Sequence, residues 1–155
     1  MYSIKKILVP VDFSDYSKKA LNFASDFSRQ YNAELLLVYV VEPTVYPADF
    51  SMGQVSIPMM DTDLTERAQT ELETLAQKEI NPNIKHQVII KSGKPFVEII
   101  ECASEFDADL IIIATHGHTG VEHLLFGSTA EKVVRKAPCP VLTIREPIKG
   151  FKFKS

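Results

Sequence analysis

The chain has 155 residues, 45% of them hydrophobic, and a net charge of −3 at pH 7, enough for one domain that buries roughly 68–70% of its unfolded surface without disulfides or metal. Its lysines and arginines are scattered among acids and form no stripe able to neutralise successive phosphates, which argues against nucleic acid as the main ligand. No stretch approaches the ~20 consecutive apolar residues of a membrane span, and residues 1–6 run straight into a short apolar segment with no small-residue cleavage site, so the expected location is the cytoplasm.

Lys6-Ile7-Leu8-Val9-Pro10-Val11 is a continuous apolar run, the signature of a strand buried on both faces. Pro10 has no N–H for a ladder and belongs near its end. Ser14 or Asp12 can cap the helix that follows, in which Tyr16, Ala20, Ala24, Phe27 and Tyr31 form a stripe at spacings of three and four. Asn32 suits a left-handed residue after the last turn.

Glu34–Val41 is a second buried strand, followed by an irregular stretch, 42–61, broken by Pro43, Pro47, Gly53 and Pro58. That length exceeds the usual ~4–6 residues of a connection and suggests a lid or a contact surface. Thr62 or Asp63 can cap a helix running to Ile80, with Leu64, Ala68, Leu72, Leu75 and Ala76 as its buried stripe. His86 to Lys91 is a third strand, ended by Ser92 and Gly93. Pro95 starts a helix to about Glu105, with Ile99, Cys102 and Ala103 inward. Leu110-Ile111-Ile112-Ile113-Ala114 is the fourth strand. A helix from Ser128 to Lys136 carries Val133 and Val134, and Pro140-Val141-Leu142-Thr143-Ile144 is the fifth strand. The last residues, 147–155, read as a frayed tail.

Strand and helix alternate throughout with no internal boundary, so the expected architecture is one domain: an α/β fold with a doubly wound five-stranded parallel sheet and helices on both faces, Rossmann-like. Cys102 and Cys139 lack CxxC or ligand spacing and are expected to pack as small apolar groups. His116, His118 and His123 lie close together, but no carboxylate or cysteine completes a tetrahedral set, and no metal is expected.

In such sheets ligands bind past the carboxyl ends of the strands, where strand order reverses. The positions to inspect are Asp12, Val40 to Glu42, Gly93 and the segment from Ala114. Ala114-Thr115-His116-Gly117-His118-Thr119-Gly120 leaves a buried strand, and Phe126-Gly127-Ser128-Thr129 opens a helix. Small residues let backbone approach a ligand, and the first-turn amides with the Ser128 and Thr129 hydroxyls suit an anion. The bland alternative makes Gly117 and Gly120 turn residues and Ser128 a helix cap. Neither GxxxxGK[ST] nor GxGxxG is present. Asp12 stands at the first turn instead, able to accept hydrogen bonds from a ribose or a base, or to cap the helix after it.

These residues resemble the universal stress protein family across nearly the whole chain. The likeness is carried by Lys6 to Asp12 (K-I-L-V-P-V-D), by T-H-G-x-T-G, by the nine residues between Gly117 and Gly127-Ser128, and by Cys139-Pro140-Val141-Leu142. The resemblance implies an adenine nucleotide, ATP or AMP, with or without magnesium. It assigns adenine and ribose to Asp12 and the backbone near Val40, the base pocket to Pro10 and Val11, and phosphates to Gly117, Gly127, Ser128 and Thr129. Thr115, His116 and His118 are further candidates for nucleotide contact, the two histidines either leaning over the phosphates or standing exposed. Ala114 departs from the family's glycine, adding a methyl and disfavouring positive φ. The resemblance also implies a homodimer through the last strand, 140–144, and a stress or energy sensor that acts through an unnamed protein partner rather than by catalysis. Two other readings are a family member that binds no nucleotide and works only through protein contacts, and a weak ATP hydrolase.

Overall fold

The computed structural model of the chain describes residues 1–43, 62–117 and 126–145. Five strands form one sheet: β1 (Lys6–Pro10), β2 (Glu34–Val41), β3 (His86–Ser92), β4 (Leu110–Ala114) and β5 (Val141–Ile144). Their order across it is β3-β2-β1-β4-β5, and every pairing is parallel. Ile7 stands beside Leu35 on one flank and Leu110 on the other, so the three most apolar strands occupy the centre.

The two-residue period of a strand sorts the core onto two faces. Ile7, Val9, Leu35, Leu37, Leu110 and Ile112 point one way, where α1 (Asp15–Tyr31) and α2 (Thr62–Glu79) cover them with Leu21, Ala24, Leu72, Leu75 and Ala76. Leu8, Leu36, Val38, Ile111 and Ile113 point the other way, beneath α3 (Pro95–Glu105) and α4 (Ser128–Lys136), which contribute Ile99, Cys102, Ala103, Ala130 and Val133. The chain starts at the central β1, travels outward to β3, then returns past β1 to β4 and β5. Crossovers between parallel strands keep one hand, so reversing the direction of travel moves the helices to the opposite face. The doubly wound architecture read from the sequence is the one observed.

Local chemistry sets most boundaries. Ser14 is the N-cap of α1, its hydroxyl accepting from the Ser17 amide, and Asn32 closes the helix at φ 53°. Pro95 occupies the first turn of α3. β5 begins one residue later than the sequence suggests, although the Pro140 carbonyl still accepts from the Ile111 amide at 3.0 Å.

Three helix faces differ from the apolar stripes. In α1 the buried residues are Ser17, Ala20, Leu21, Ala24, Ser25 and Ser28, while Tyr16 and Phe27 are half-buried and Tyr31 is exposed. Small side chains face the sheet and the rings stack along the flank, with Phe27 4.6 Å from Tyr31 and 6.0 Å from Phe23 between centroids. In α2 burial begins at Ala68, and Leu64, one turn earlier, is 44% exposed. In α4 Val133 is fully buried and Val134 turns outward, because adjacent helical residues do not share a face. Cys102 packs as expected, fully buried beneath α3, and Cys139 is half-buried. Among the described residues, no helix is long and apolar enough to cross a membrane.

Candidate functional site

The reversal of strand order falls between β1 and β4, so the segments leaving their carboxyl ends separate and leave a cleft. After Pro10 the chain stays in the sheet for one more bond, Val11 N–H to the Val38 carbonyl at 2.9 Å, and then turns. The turn is built on Asp12. Its Oδ1 accepts the Ser14 amide at 3.0 Å and the Ser14 hydroxyl at 2.5 Å, while its own amide donates to Ser17 Oγ at 3.3 Å. Asp12 therefore does not cap α1 itself; it fixes the serine that does. Phe13, between them, sits at φ 63°, a region that a bulky residue occupies only when its surroundings hold it there. Its ring packs 4.9 Å from Tyr39 on β2.

Across the cleft, β4 ends at Ala114. The Thr115 amide donates to the Ile144 carbonyl at 3.1 Å, and the Thr115 carbonyl accepts the Gly127 amide at 2.6 Å, tying the strand's exit to the start of α4. The N-cap of α4 is Gly127, with no side-chain cap bond, so Ser128 is the first helical residue and not the cap. The helix ladder begins with the Glu131 amide on the Gly127 carbonyl. The amides of 128–130 precede that bond, at the end of the helix where its dipole favours negative charge. Two glycines are held close by neighbours. A Cβ on Gly117 would overlap Oδ2 of Asp12, and one on Gly127 would lie 3.1 Å from the Thr115 carbonyl oxygen. His116 has Nδ1 3.0 Å from the Thr115 hydroxyl and its ring 5.6 Å from that of Tyr16.

The cleft has a volume of about 390 Å³, and its lining includes Pro10, Val11, Asp12, Val40, Ala114, Thr115, His116, Gly117, Gly127, Ser128 and Thr129. These are all of the residues proposed from sequence except His118, which lies outside the described residues, as do Gly120, His123, the stretch 44–61 and the tail 146–155. Ala114 is in strand conformation, in register with Ile144, and not at positive φ, so the expected backbone penalty of alanine there does not arise. Gly93 stays out of the lining: its amide donates to the Val41 carbonyl, and Glu98 packs against it.

Among the lining residues that the sequence did not point to are Ser17, Tyr39, Pro95 and Ile99, and Glu42 stood there only as a position after a strand. Tyr39 is the most informative of these. Burial pushes its phenol above the ordinary value of 10.0, and the charges of Glu71, Asp12 and Glu42 push the same way. Among the described residues no group of three or more histidine, cysteine and acidic side chains is placed to hold a metal ion.

A family model described as the Universal stress protein family matches residues 3–145. The universal stress protein MJ0531 of Methanocaldococcus jannaschii is 35% identical over 148 residues, covering 94% of this chain and 84% of its own. Among solved structures, MJ0577 of the same organism superposes with a TM-score of 0.78 at 29% identity, covering 94% of this chain and 98% of that one. The universal stress protein UspA from Lactobacillus plantarum gives 0.71 at 30% identity, covering 91% and 97%.

Proposed function

This chain belongs to the universal stress protein family, and from that premise we propose that it binds an adenine nucleotide in the cleft between β1 and β4 and passes the bound state on through protein contacts. The observation that carries the proposal is the facing of two unlike groups across one cavity. On one side Asp12 presents a carboxylate suited to ribose or base N–H and O–H groups. On the other, the 128–130 amides with the Ser128 and Thr129 hydroxyls suit a phosphate. Pro10, Val11 and Val40 supply apolar surface for a base between them. Gly117 and Gly127 line the cleft with backbone alone. Two solved universal stress proteins of this fold, 19% and 22% identical to this chain, are complexes with cAMP and with dAMP, so the fold accommodates adenine mononucleotides in those relatives.

The proposal extends to a homodimer. β5 closes one edge of the sheet, and its four residues are half-buried rather than covered. An apolar edge strand of this kind is stabilised by pairing with a second copy. A monomer mass in gel filtration at micromolar concentration would contradict it.

The primary test is calorimetric titration with AMP, ADP and ATP, with and without magnesium. Micromolar binding is expected, abolished by Gly127→Val, whose Cβ would lie 3.1 Å from the Thr115 carbonyl oxygen and whose branched side chain would stand at the open end of α4. Absence of binding at millimolar nucleotide would overturn the reading and leave a protein-contact role.

A further inference from the structure

The outer face of α3 and α4 carries a charge pattern that the cleft does not use. Phe96, in the first turn of α3, is half-buried, and two ammonium groups of α4 stand by its ring: Lys132 Nζ lies 4.8 Å from the centroid and Lys136 Nζ 5.8 Å. Both are within reach of a cation–π contact. Helical side chains lean toward the N-terminus, which lets Lys136, one turn after Lys132, reach back to the same ring. Both lysines are exposed, and neither has an ion-pair partner among the described residues. Arg135 differs, being paired with Glu131 at 3.0 Å. Lys94, the exposed N-cap of α3, stands two residues before Phe96.

Helix-terminal electrostatics accounts for only part of this pattern. Arg135 and Lys136 lie in the last turn of α4, where cations suit the dipole. Lys132 is in the middle of that nine-residue helix, four positions before Lys136, a spacing at which like charges destabilise. The ring holds the two charges in place without neutralising either. Groups fixed before binding lose less freedom when they bind, and the exposed part of Phe96 offers an apolar contact beside them.

We infer that this α3–α4 face is a docking surface for an acidic segment of a partner protein, whose carboxylates are taken by Lys132 and Lys136 around the Phe96 ring. Such docking specifies the protein-contact role proposed above, on which it rests, and does not require bound nucleotide. Charge complementarity selects the partner. Glu101 and Glu131 are exposed on the same two helices, so a broad anionic membrane or a nucleic acid backbone meets repulsion that a narrow peptide avoids. The position also suits a readout of the cleft. Pro95 and Ile99 line it from α3, and Thr129 and Ala130 from α4, so the helices that wall the cleft carry this patch on their exposed side.

The experiment is fluorescence anisotropy of a labelled octaglutamate peptide titrated with the full chain in the absence of nucleotide, with octaglutamine as the neutral control. The variants are Lys132→Gln/Lys136→Gln, Phe96→Leu and Lys78→Glu. The first and last change net charge equally, and Lys78 is exposed in the last turn of α2, on the opposite face of the sheet. Octaglutamate should bind the wild type, and octaglutamine should not. The double variant should weaken binding at least about tenfold and Lys78→Glu less than about twofold. Phe96→Leu should weaken it by about threefold, because leucine keeps the bulk but releases both ammonium groups. Added salt should weaken the wild type. A wild type that ignores millimolar octaglutamate would overturn the docking surface, as would equal losses in the double variant and Lys78→Glu, which would reduce the effect to net charge. Binding unmoved by the double variant would place the peptide elsewhere, for instance on Lys149, Lys152 and Lys154, and would overturn it too. So would phosphatidylserine vesicles bound through Lys132 and Lys136 while octaglutamate is not. None of these outcomes touches nucleotide binding, which the calorimetric titration decides separately.

Discussion

Replacing Gly117 by alanine probes the contact on which the cleft and the first helix both depend. A Cβ at this position would overlap Oδ2 of Asp12 and lie 3.4 Å from its Cγ. The carboxylate is not free to swing away, because Oδ1 accepts both the amide and the hydroxyl of Ser14, the cap of α1. Either the carboxylate rotates and loosens those two bonds, or the 115–117 backbone retreats and stretches the 2.6 Å bond from the Gly127 amide to the Thr115 carbonyl. Hydrogen bonds to a charged acceptor contribute about 1.5–3 kcal/mol each. The site is half-buried and water recovers part of the loss, so the expected cost is about 1–3 kcal/mol, or ~2–12 °C in Tm for a chain of this size. The assay is urea unfolding of four proteins: wild type, Gly117→Ala, Asp12→Ala and the double variant. Among the described residues the carboxylate is the group that meets this methyl, and Gly117 is not in the left-handed region. In that background alanine should therefore be neutral, or stabilising by about 0.4–1 kcal/mol through the unfolded chain. Costs that add to within about 0.3 kcal/mol would refute the reasoning, since they would mean that Gly117 and Asp12 do not touch.

Leu72→Ala should cost about 2–5 kcal/mol in chemical denaturation, and Leu64→Ala no more than about 0.5 kcal/mol, because Leu72 is fully buried and Leu64 is 44% exposed; equal costs would put α2 in a different rotation. Burial pushes the Cys102 thiol up to about 11 and also raises that of Cys139. With a thiol-specific disulfide reagent at pH 8, Cys139 should label slowly and Cys102 only at the rate of unfolding, whereas two thiols reacting like free cysteine would contradict their burial. Burial alone would raise the Glu34 carboxyl, but hydrogen bonds from Gln87 and Lys85, with the Lys85 and Lys6 charges, outweigh it and hold the group below its ordinary 4.5. A carboxyl depressed in the folded state stabilises above its unfolded value and loses that contribution as pH falls through its folded one. The stability deficit of Glu34→Gln should thus be present at pH 7 and shrink below pH 4.5; a deficit unchanged at pH 3 would exclude the ionic contribution.

What was legible in the sequence was what is decided locally. Ile7 to Val9, Leu35 to Val38 and Leu110 to Ile113 are apolar at every position because both faces of the central strands are covered, and no partner need be known to see it. Ser14, Asn32 and Pro95 mark helix ends through their own backbone chemistry. The side of a helix that meets the sheet is decided elsewhere. Tyr31, Leu64 and Val134 look as apolar as their buried neighbours, and only the seating of each helix on the strands turns them outward. The same division runs through the candidate site. Asp12 and the segment from Ala114 to Gly117 follow from one topological rule, that segments after β1 and β4 flank a reversal of strand order. Tyr39 belongs to the lining through its place near the tip of β2, and Pro95 and Ile99 reach it from α3, which the sequence places far from β1. No pattern within any one segment announces them.

Asp12 is the point at which these two kinds of information meet. Its carboxylate is spent partly on the fold, in holding Ser14, and partly on the cleft, in facing Gly117. The next residue, Phe13, is kept at φ 63° against Tyr39, itself part of the lining. Such a backbone costs on the order of 1 kcal/mol and persists only while its surroundings over-determine it. Of the groups that line the cleft, therefore, the ones around Asp12 are the least independent of the rest of the molecule. A ligand changes a protein's populations only to the extent that it binds one arrangement better than another. The main-chain bond from Gly127 to Thr115 anchors one side of the cleft, and the bonds from Ser14 to Asp12 anchor the other. On the proposed reading, a nucleotide that engages Asp12 would act on the start of α1 and on the Phe13–Tyr39 pair, and one held only by its phosphates would not.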